Sequence, residues 1–182
     1  MEAMGSLAVV PALDRADLLA PPVAAALAAW NGALDPGSVG VAEIDPALAD
    51  TAAFCERYLV SPAESANCVV ISGRRDGEPR YAACVVLAAT RADVNGVARR
   101  ELDVRKASFA ATEEAVRLTG MEYGGITPIG LPAGWRIMVD GQVAATARVV
   151  IGSGVRRSKL ALPGGLLGRL PGATVIDGPG SQ

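Results

Sequence analysis

Apolar and polar positions alternate between helical and strand rhythms along the chain. Residues 6–34 are rich in Ala and Leu, and Pro21-Pro22 cuts them into two short helical pieces, the second ending near Trp30-Asn31-Gly32. Asp35-Pro36-Gly37 reads as a turn and 39–44 as a short apolar strand. Asp45 then stands as an N-cap and Pro46 as a first helical residue, because proline lacks the N–H that would be unsatisfied there. The helix they open is predicted to reach about Tyr58, with Leu48, Ala52, Cys55 and Leu59 on its buried face.

The middle of the chain changes rhythm. Residues 68–72 and 81–88 are apolar strands flanking Arg74-Arg75-Asp76-Gly77, so 68–88 is predicted to be a hairpin. A helix is predicted over 93–102 despite Gly96, a strand over 106–110, and a helix capped by Thr112 and closed by Gly120, with Glu113 and Glu114 complementing its dipole. Residues 124–134 form a Gly/Pro loop. Strands follow at 136–140 and 148–151, a tight turn at Gly152-Ser153-Gly154, a strand at 160–162, a helix from Pro163 to about Leu170, and a last strand at 173–176. Strands and short helices mixed this irregularly indicate α+β with a mixed sheet rather than a βαβ series.

Composition narrows the chemistry. At 182 residues, 51% hydrophobic and 20% charged, the chain can bury a sizeable core and is not wholly disordered. It contains no histidine, which removes every imidazole-based mechanism and every His-containing zinc site. Cys55, Cys68 and Cys84 form no CxxC pair, so neither a disulfide framework nor a four-cysteine zinc site is expected; the natural setting is a reducing cytoplasm. The N-terminus lacks the basic segment of a secretory signal, and the uncharged run 18–34 is too short for a membrane span. No metal, cofactor or membrane partner is expected.

The net charge of −2 conceals an asymmetry: residues 1–64 carry −7 and residues 65–182 carry +5. The cations cluster at Arg74-Arg75, Arg99-Arg100, Arg105-Lys106 and Arg156-Arg157 with Lys159. Clustered arginine is a common footprint of phosphate binding, and equally of a solvated face. Aromatic residues make up only 4%, which argues against a platform stacking a run of bases.

Two loops could bind a ligand. In Gly124-Gly125-Ile126-Thr127-Pro128-Ile129-Gly130 the glycines admit close backbone approach and exposed N–H groups could hold an oxyanion; the alternative is an ordinary connection. Gly152-Ser153-Gly154 runs into three cations and could hold a phosphate or carboxylate, or simply tip a hairpin. Asp140, before Gly141, suits either a ligand contact or a turn. The cysteines lie in apolar runs and read as inert, with Cys68 the one to test. The only lysines, Lys106 and Lys159, sit in basic clusters, which predicts solvated phosphate contacts rather than a desolvated amine.

Taken in order, several segments carry a resemblance. They are Ser65-Ala66-Asn67-Cys68-Val69-Val70-Ile71, Ala83-Cys84-Val85-Val86-Leu87-Ala88, Arg105-Lys106-Ala107-Ser108-Phe109 and Thr119-Gly120. The 124–130 loop, Met138-Val139-Asp140 and Ile151-Gly152-Ser153-Gly154 follow. Over residues 39–177 the chain resembles the YbaK/EbsC-type aminoacyl-tRNA deacylases, relatives of the editing domain of bacterial prolyl-tRNA synthetases. The resemblance implies a mixed, strongly curved sheet surrounded by helices over residues 39–182, with residues 1–38 as an N-terminal helical extension. It implies hydrolysis of the ester joining a wrong amino acid to the 3′ adenosine of tRNA, with the substrate assisting proton transfer and the protein supplying a shaped pocket. By that resemblance Asn67, Gly125 and Asp140 are the catalytic positions. Gly124, Ile126, Thr127, Pro128, Gly130, Ser153 and Gly154 line the substrate, and Arg105, Lys106, Arg156, Arg157 and Lys159 meet tRNA phosphates. An aminoacyl-tRNA synthetase is a second implied partner, and DNA is not one.

The family carries a lysine just before its first central strand. Here Asn67 stands at or beside that place, Ala66 one residue earlier, and no lysine lies nearby in sequence. A neutral amide in place of an ammonium weakens a hydrogen bond by ~1–2 kcal/mol, roughly 5- to 30-fold in rate. The alternative reading is therefore a module that binds aminoacyl-tRNA or an aminoacyl ligand without turnover. Residues 1–38 leave three roles open: packing on the domain, self-association or partner contact, and mimicry of a polyanion.

Overall fold

The structure is a computed structural model that describes residues 4–30, 38–177 and 180–181. The turn expected at Asp35-Pro36-Gly37 lies outside the described residues, whereas the second helical piece ends as expected, at Ala29 with Trp30 as its cap. The strands are β1 (Val10–Pro11), β2 (Gly40–Glu43), β3 (Ala66–Arg75), β4 (Glu78–Leu87), β5 (Arg91–Ala92), β6 (Ala107–Phe109), β7 (Arg136–Asp140), β8 (Val149–Gly152), β9 (Ser158–Leu162), β10 (Ala173–Ile176) and β11 (Gly180–Ser181). The α-helices are α1 (Pro21–Ala29), α2 (Thr51–Tyr58), α3 (Arg99–Glu101), α4 (Thr112–Thr119) and α5 (Gly141–Ala145).

The fold is α+β, with its strands divided between two main sheets. One is antiparallel, in the order β1-β2-β9-β8. The other is mixed, in the order β10-β7-β4-β3-β6, with β4, β7 and β10 parallel. A single parallel bridge, Ser65 to Val150, joins the start of β3 to β8 and brings the two sheets together. The β3–β4 hairpin closes on Asp76 and Gly77, both at positive φ, between paired Arg75 and Glu78. A two-residue turn of that hand matches the twist of the flanking strands.

Local signals were reliable where one residue decides the outcome. Gly120 ends α4 in the left-handed conformation, and β10 falls where the apolar run lies. Elsewhere packing changed the result. The helix expected over 45–58 is two elements, a 3-10 turn Pro46–Leu48 capped by Asp45 and then α2. The restart turns the buried face to Phe54, leaving Ala52 exposed and Leu59 74% exposed in a left-handed cap. Thr112 is the first helical residue rather than the cap. The helix expected over 93–102 is a widened turn, Val94–Ala98, capped by Asp93 and continued by α3. Helix α5 and the β5–β11 pair are additional.

The largest apolar cluster unites both ends of the chain. Leu18, Val23 and Leu27 are buried with Ile137, Val139, Leu160 and Leu162. The Arg157 guanidinium donates to the carbonyl of Asp17, the Ser158 hydroxyl to that of Leu18 at 2.5 Å, and the Ala20 N–H to that of Ser153 at 3.1 Å. Of the roles left open for the N-terminal region, packing on the rest of the chain is therefore what residues 12–29 do. Among the described residues no helix is long and apolar enough to cross a membrane.

Candidate active site

A cavity of about 830 Å³ opens where β3, the start of α2 and the 123–126 segment converge. Its walls include Thr51, Asn67, Cys68, Gly124, Ile126 and Lys159. Gly152 also lines it, and in the ladder Gly152 of β8 is the direct partner of Lys159 in β9. The Thr51 hydroxyl donates to Asn67 Oδ1 at 2.7 Å. With its oxygen engaged, the Asn67 amide keeps its NH₂ as a donor on the cavity wall.

Lys159 corrects the reading of the basic stretch. It is only 9% exposed, its Nζ donates to the Ala49 carbonyl at 2.9 Å, and that nitrogen lies 5.3 Å from the centre of the Phe54 ring. Burial, and then the neighbouring Arg156 charge, lower its pKa from 10.5 to about 8, while Asp50 and Cys55 pull the other way. It is thus a desolvated amine on the wall of the cavity and not a surface contact for phosphate. The sequence held a signal for this, since a lone lysine interrupts Ser-Lys-Leu-Ala-Leu, a strand whose five residues are all buried.

Arg156 and Arg157 also make contacts within the fold, although Arg157 remains exposed. Arg156 donates through Nε to the Pro46 carbonyl at 3.2 Å and through one terminal nitrogen to Asp50 Oδ1 and the Tyr123 carbonyl, each at 3.3 Å. It clasps α2's leading turn to the loop at the cavity rim, while Arg157 holds the N-terminal segment. Arg105 and Lys106 are exposed as expected, just before β6, whose Phe109 lines the cavity.

The glycine loop divides between two environments. Gly124 and Ile126 face the Lys159 cavity. Pro128 and Gly130 line a second, mostly apolar cavity of about 550 Å³ beside Trp30 and Trp135. Thr127 is fully buried, its N–H directed at the Met121 sulfur at 3.5 Å. Gly125 serves backbone packing: a Cβ there would lie 2.7 Å from the Val155 carbonyl carbon, and its own carbonyl accepts from Gly154 N–H at 2.7 Å. Only glycine permits that approach.

Two expected contacts are structural. Asp140 is 3% exposed, does not line the cavity, and caps α5 by accepting from the Gln142 N–H at 2.8 Å. An Asp at a strand end before a helix the sequence did not reveal satisfies an orphan N–H rather than a substrate. The Ser153 hydroxyl is fully buried against the Ser158 hydroxyl at 2.7 Å. Cys68 does reach the cavity, but desolvation pushes its thiol well above the ordinary range, and Cys84 is pushed up to about 12, so neither offers a thiolate at neutral pH.

Residues 45–169, which supply the cavity from Ala49 through Lys159, match the family model described as an aminoacyl-tRNA editing domain. The chain belongs to the aminoacyl-tRNA editing domain family. Its fold is that of a crystal structure presented as a candidate trans-editing enzyme for prolyl tRNA synthetase, at TM-score 0.71 and 22% identity over 87% of this chain and 94% of that one. A scaffold protein carrying a computationally grafted epitope is similar at TM-score 0.72 and 21% identity, over 87% and 95% of the two chains. The hypothetical protein APE2540 is similar at TM-score 0.66 and 23% identity, over 75% and 88%. No curated protein matches the chain. The matched span of the editing domain begins beyond the N-terminal segment that Arg157 and Ser158 hold.

Proposed function

We propose that this editing-domain protein is a trans-acting deacylase that hydrolyses the ester between an amino acid and the 3′ adenosine of a mischarged tRNA. The observation that carries the reading is the cavity itself. It is large enough for an aminoacyl group and part of an adenosine, and its lining gathers Asn67, Gly124, Ile126 and Lys159. The reaction needs little from the protein beyond position and hydrogen bonds. Water adds to the ester carbonyl carbon, the bond to the ribose oxygen breaks, one water proton ends on that oxygen, and the amino acid leaves as a carboxylate with release of the second proton. The Asn67 NH₂, oriented by Thr51, can hold a substrate oxygen during this sequence. Proton transfer falls to the substrate's own ribose hydroxyl or to a bound water, which suits a chain without histidine. Arg105 and Lys106 are the proposed phosphate contacts, because they are exposed and adjoin the strand that carries Phe109 to the cavity.

The test is ester loss from a panel of aminoacyl-tRNAs, including alanyl- and cysteinyl-tRNA(Pro), against a no-protein control at the same salt. Accelerated loss from at least one mischarged species, with cognate prolyl-tRNA spared, is expected. A panel that decays at the control rate throughout would remove the deacylase reading, and retained tRNA binding would then favour a module that binds without turnover.

A further inference from the structure

Lys159 has surroundings that a structural lysine does not need. Its β9 neighbours Ser158 and Leu160 are buried, and its ladder partners are Gly152 on one side and Ala42 on the other. The side chain crosses toward α2, where one N–H is taken by the Ala49 carbonyl. Two N–H donors remain. Among the described residues no carboxylate lies within ion-pair distance of it. The charged and titratable groups around it are Arg156 from the loop before β9, and Asp50 and Cys55 from the start and body of α2. Asp50 is already paired with Arg156 at 3.3 Å. A buried ammonium with no counter-ion carries a large desolvation penalty; the Ala49 carbonyl and the Phe54 ring offset part of it, and an anion or a developing negative charge would offset more. The open side of Lys159 is the cavity, so the missing negative charge belongs to whatever the cavity binds.

We propose that the Lys159 ammonium is the charged catalytic group of this site, meeting the carbonyl oxygen of the bound ester and stabilising the negative charge that collects there as water adds. The assignment rests on the deacylase reading above. As the water oxygen bonds to the carbonyl carbon, the carbonyl π pair moves onto oxygen and Lys159 holds that oxyanion by hydrogen bond while keeping its proton. Collapse restores the carbonyl, breaks the bond to the ribose oxygen, and sends a water proton to that oxygen. Lysine ends the cycle as it began it. A charged donor in a low-dielectric site is worth considerably more than the same donor in water. In this way the ammonium enters from β9, whereas the chain has no lysine at Ala66 or Asn67 at the start of β3.

The test compares the wild type with Lys159→Met and Lys159→Arg, and each variant's melting temperature reports that it is folded. Lys159→Gln replaces any variant that is not. Two readouts are taken: single-turnover loss of the mischarged ester that the wild type clears, and affinity for 3′-aminoacylamino-3′-deoxyadenosine, an amide that keeps the carbonyl and resists hydrolysis. Lys159→Met is expected to slow ester loss at least tenfold and to weaken the amide severalfold. The wild-type rate, net of the no-protein control, should fall as pH rises through about 8, where the ammonium loses its proton. Lys159→Arg should hold its own rate flat to pH 10. A Lys159→Met rate within threefold of wild type, or a pH profile that Lys159→Arg leaves unchanged, would overturn the assignment. Should the wild type clear no ester, the deacylase reading fails by itself and the amide decides for Lys159. Equal affinity in wild type and Lys159→Met, or no binding by either, would overturn its contact with the carbonyl, while a severalfold loss confined to the variant would sustain it.

Discussion

At the scale of single residues, burying Lys159 sets a conflict between stability and site. Its proton is held less tightly in the folded chain than in the unfolded one, so between pH 8 and 10.5 the unfolded state binds more protons and stability rises with pH. The distance between those two values corresponds to about 3 kcal/mol. The thiols of Cys55, Cys68 and Cys84 have the opposite sign, because their raised folded values make stability fall once the unfolded thiols begin to ionise near pH 9. Subtracting one protein from another that differs only at residue 159 removes most of the thiol effect. In denaturant melts from pH 7 to 10.5 the stability difference between wild type and Lys159→Met should therefore shift steadily in favour of the wild type, by about 3 kcal/mol. Parallel curves would mean that Lys159 titrates as an ordinary solvated amine.

Elements explain what the chain made legible and what it concealed. The β3–β4 hairpin, the stop at Gly120 and strand β10 depend on neighbours in sequence, and they were readable. The face of α2 was not, because a 3-10 turn ahead of it resets the phase and Phe54 finds its partners in Val150 and Ala161, about a hundred residues away. Asp140 shows the same limit at the site. The resemblance implied a catalytic role for it, yet five residues of unforeseen helix follow it and claim its carboxylate. Asp140→Ala should accordingly cost ~1 kcal/mol of stability, lowering the melting temperature by ~2–4 °C for a chain of this size, with the deacylation rate per folded molecule unchanged. A rate loss without a stability loss would return Asp140 to the chemistry. Asn67, Gly124 and Ile126, picked out because they lie in contiguous motifs, do line one cavity. Lys159 was expected at a tRNA phosphate and Thr51 was not expected at all, because only tertiary pairing brings β9 and α2 onto the same cavity.

For the whole molecule, the charge asymmetry acquires a physical division of labour. Arg156 and Arg157 spend their donors on Pro46, Asp50, Tyr123 and Asp17, tying the acidic first third of the chain to the basic remainder. The Arg156–Lys159 part of the apparent phosphate footprint is thus largely an internal seam, though Arg157 stays exposed, and Arg105-Lys106 is an exposed cluster beside the cavity. Chemistry and tRNA affinity should then separate by mutation. The most direct measurement is single-turnover deacylation of a susceptible mischarged tRNA by wild type and Asn67→Ala, with protein titrated so that rate and affinity are read together. Losing a hydrogen bond worth ~1–2 kcal/mol at the cavity wall predicts a maximal rate 5- to 30-fold lower with the half-saturating protein concentration unchanged. An Asn67→Ala protein that clears the ester as fast as wild type would contradict the placement of editing in this cavity.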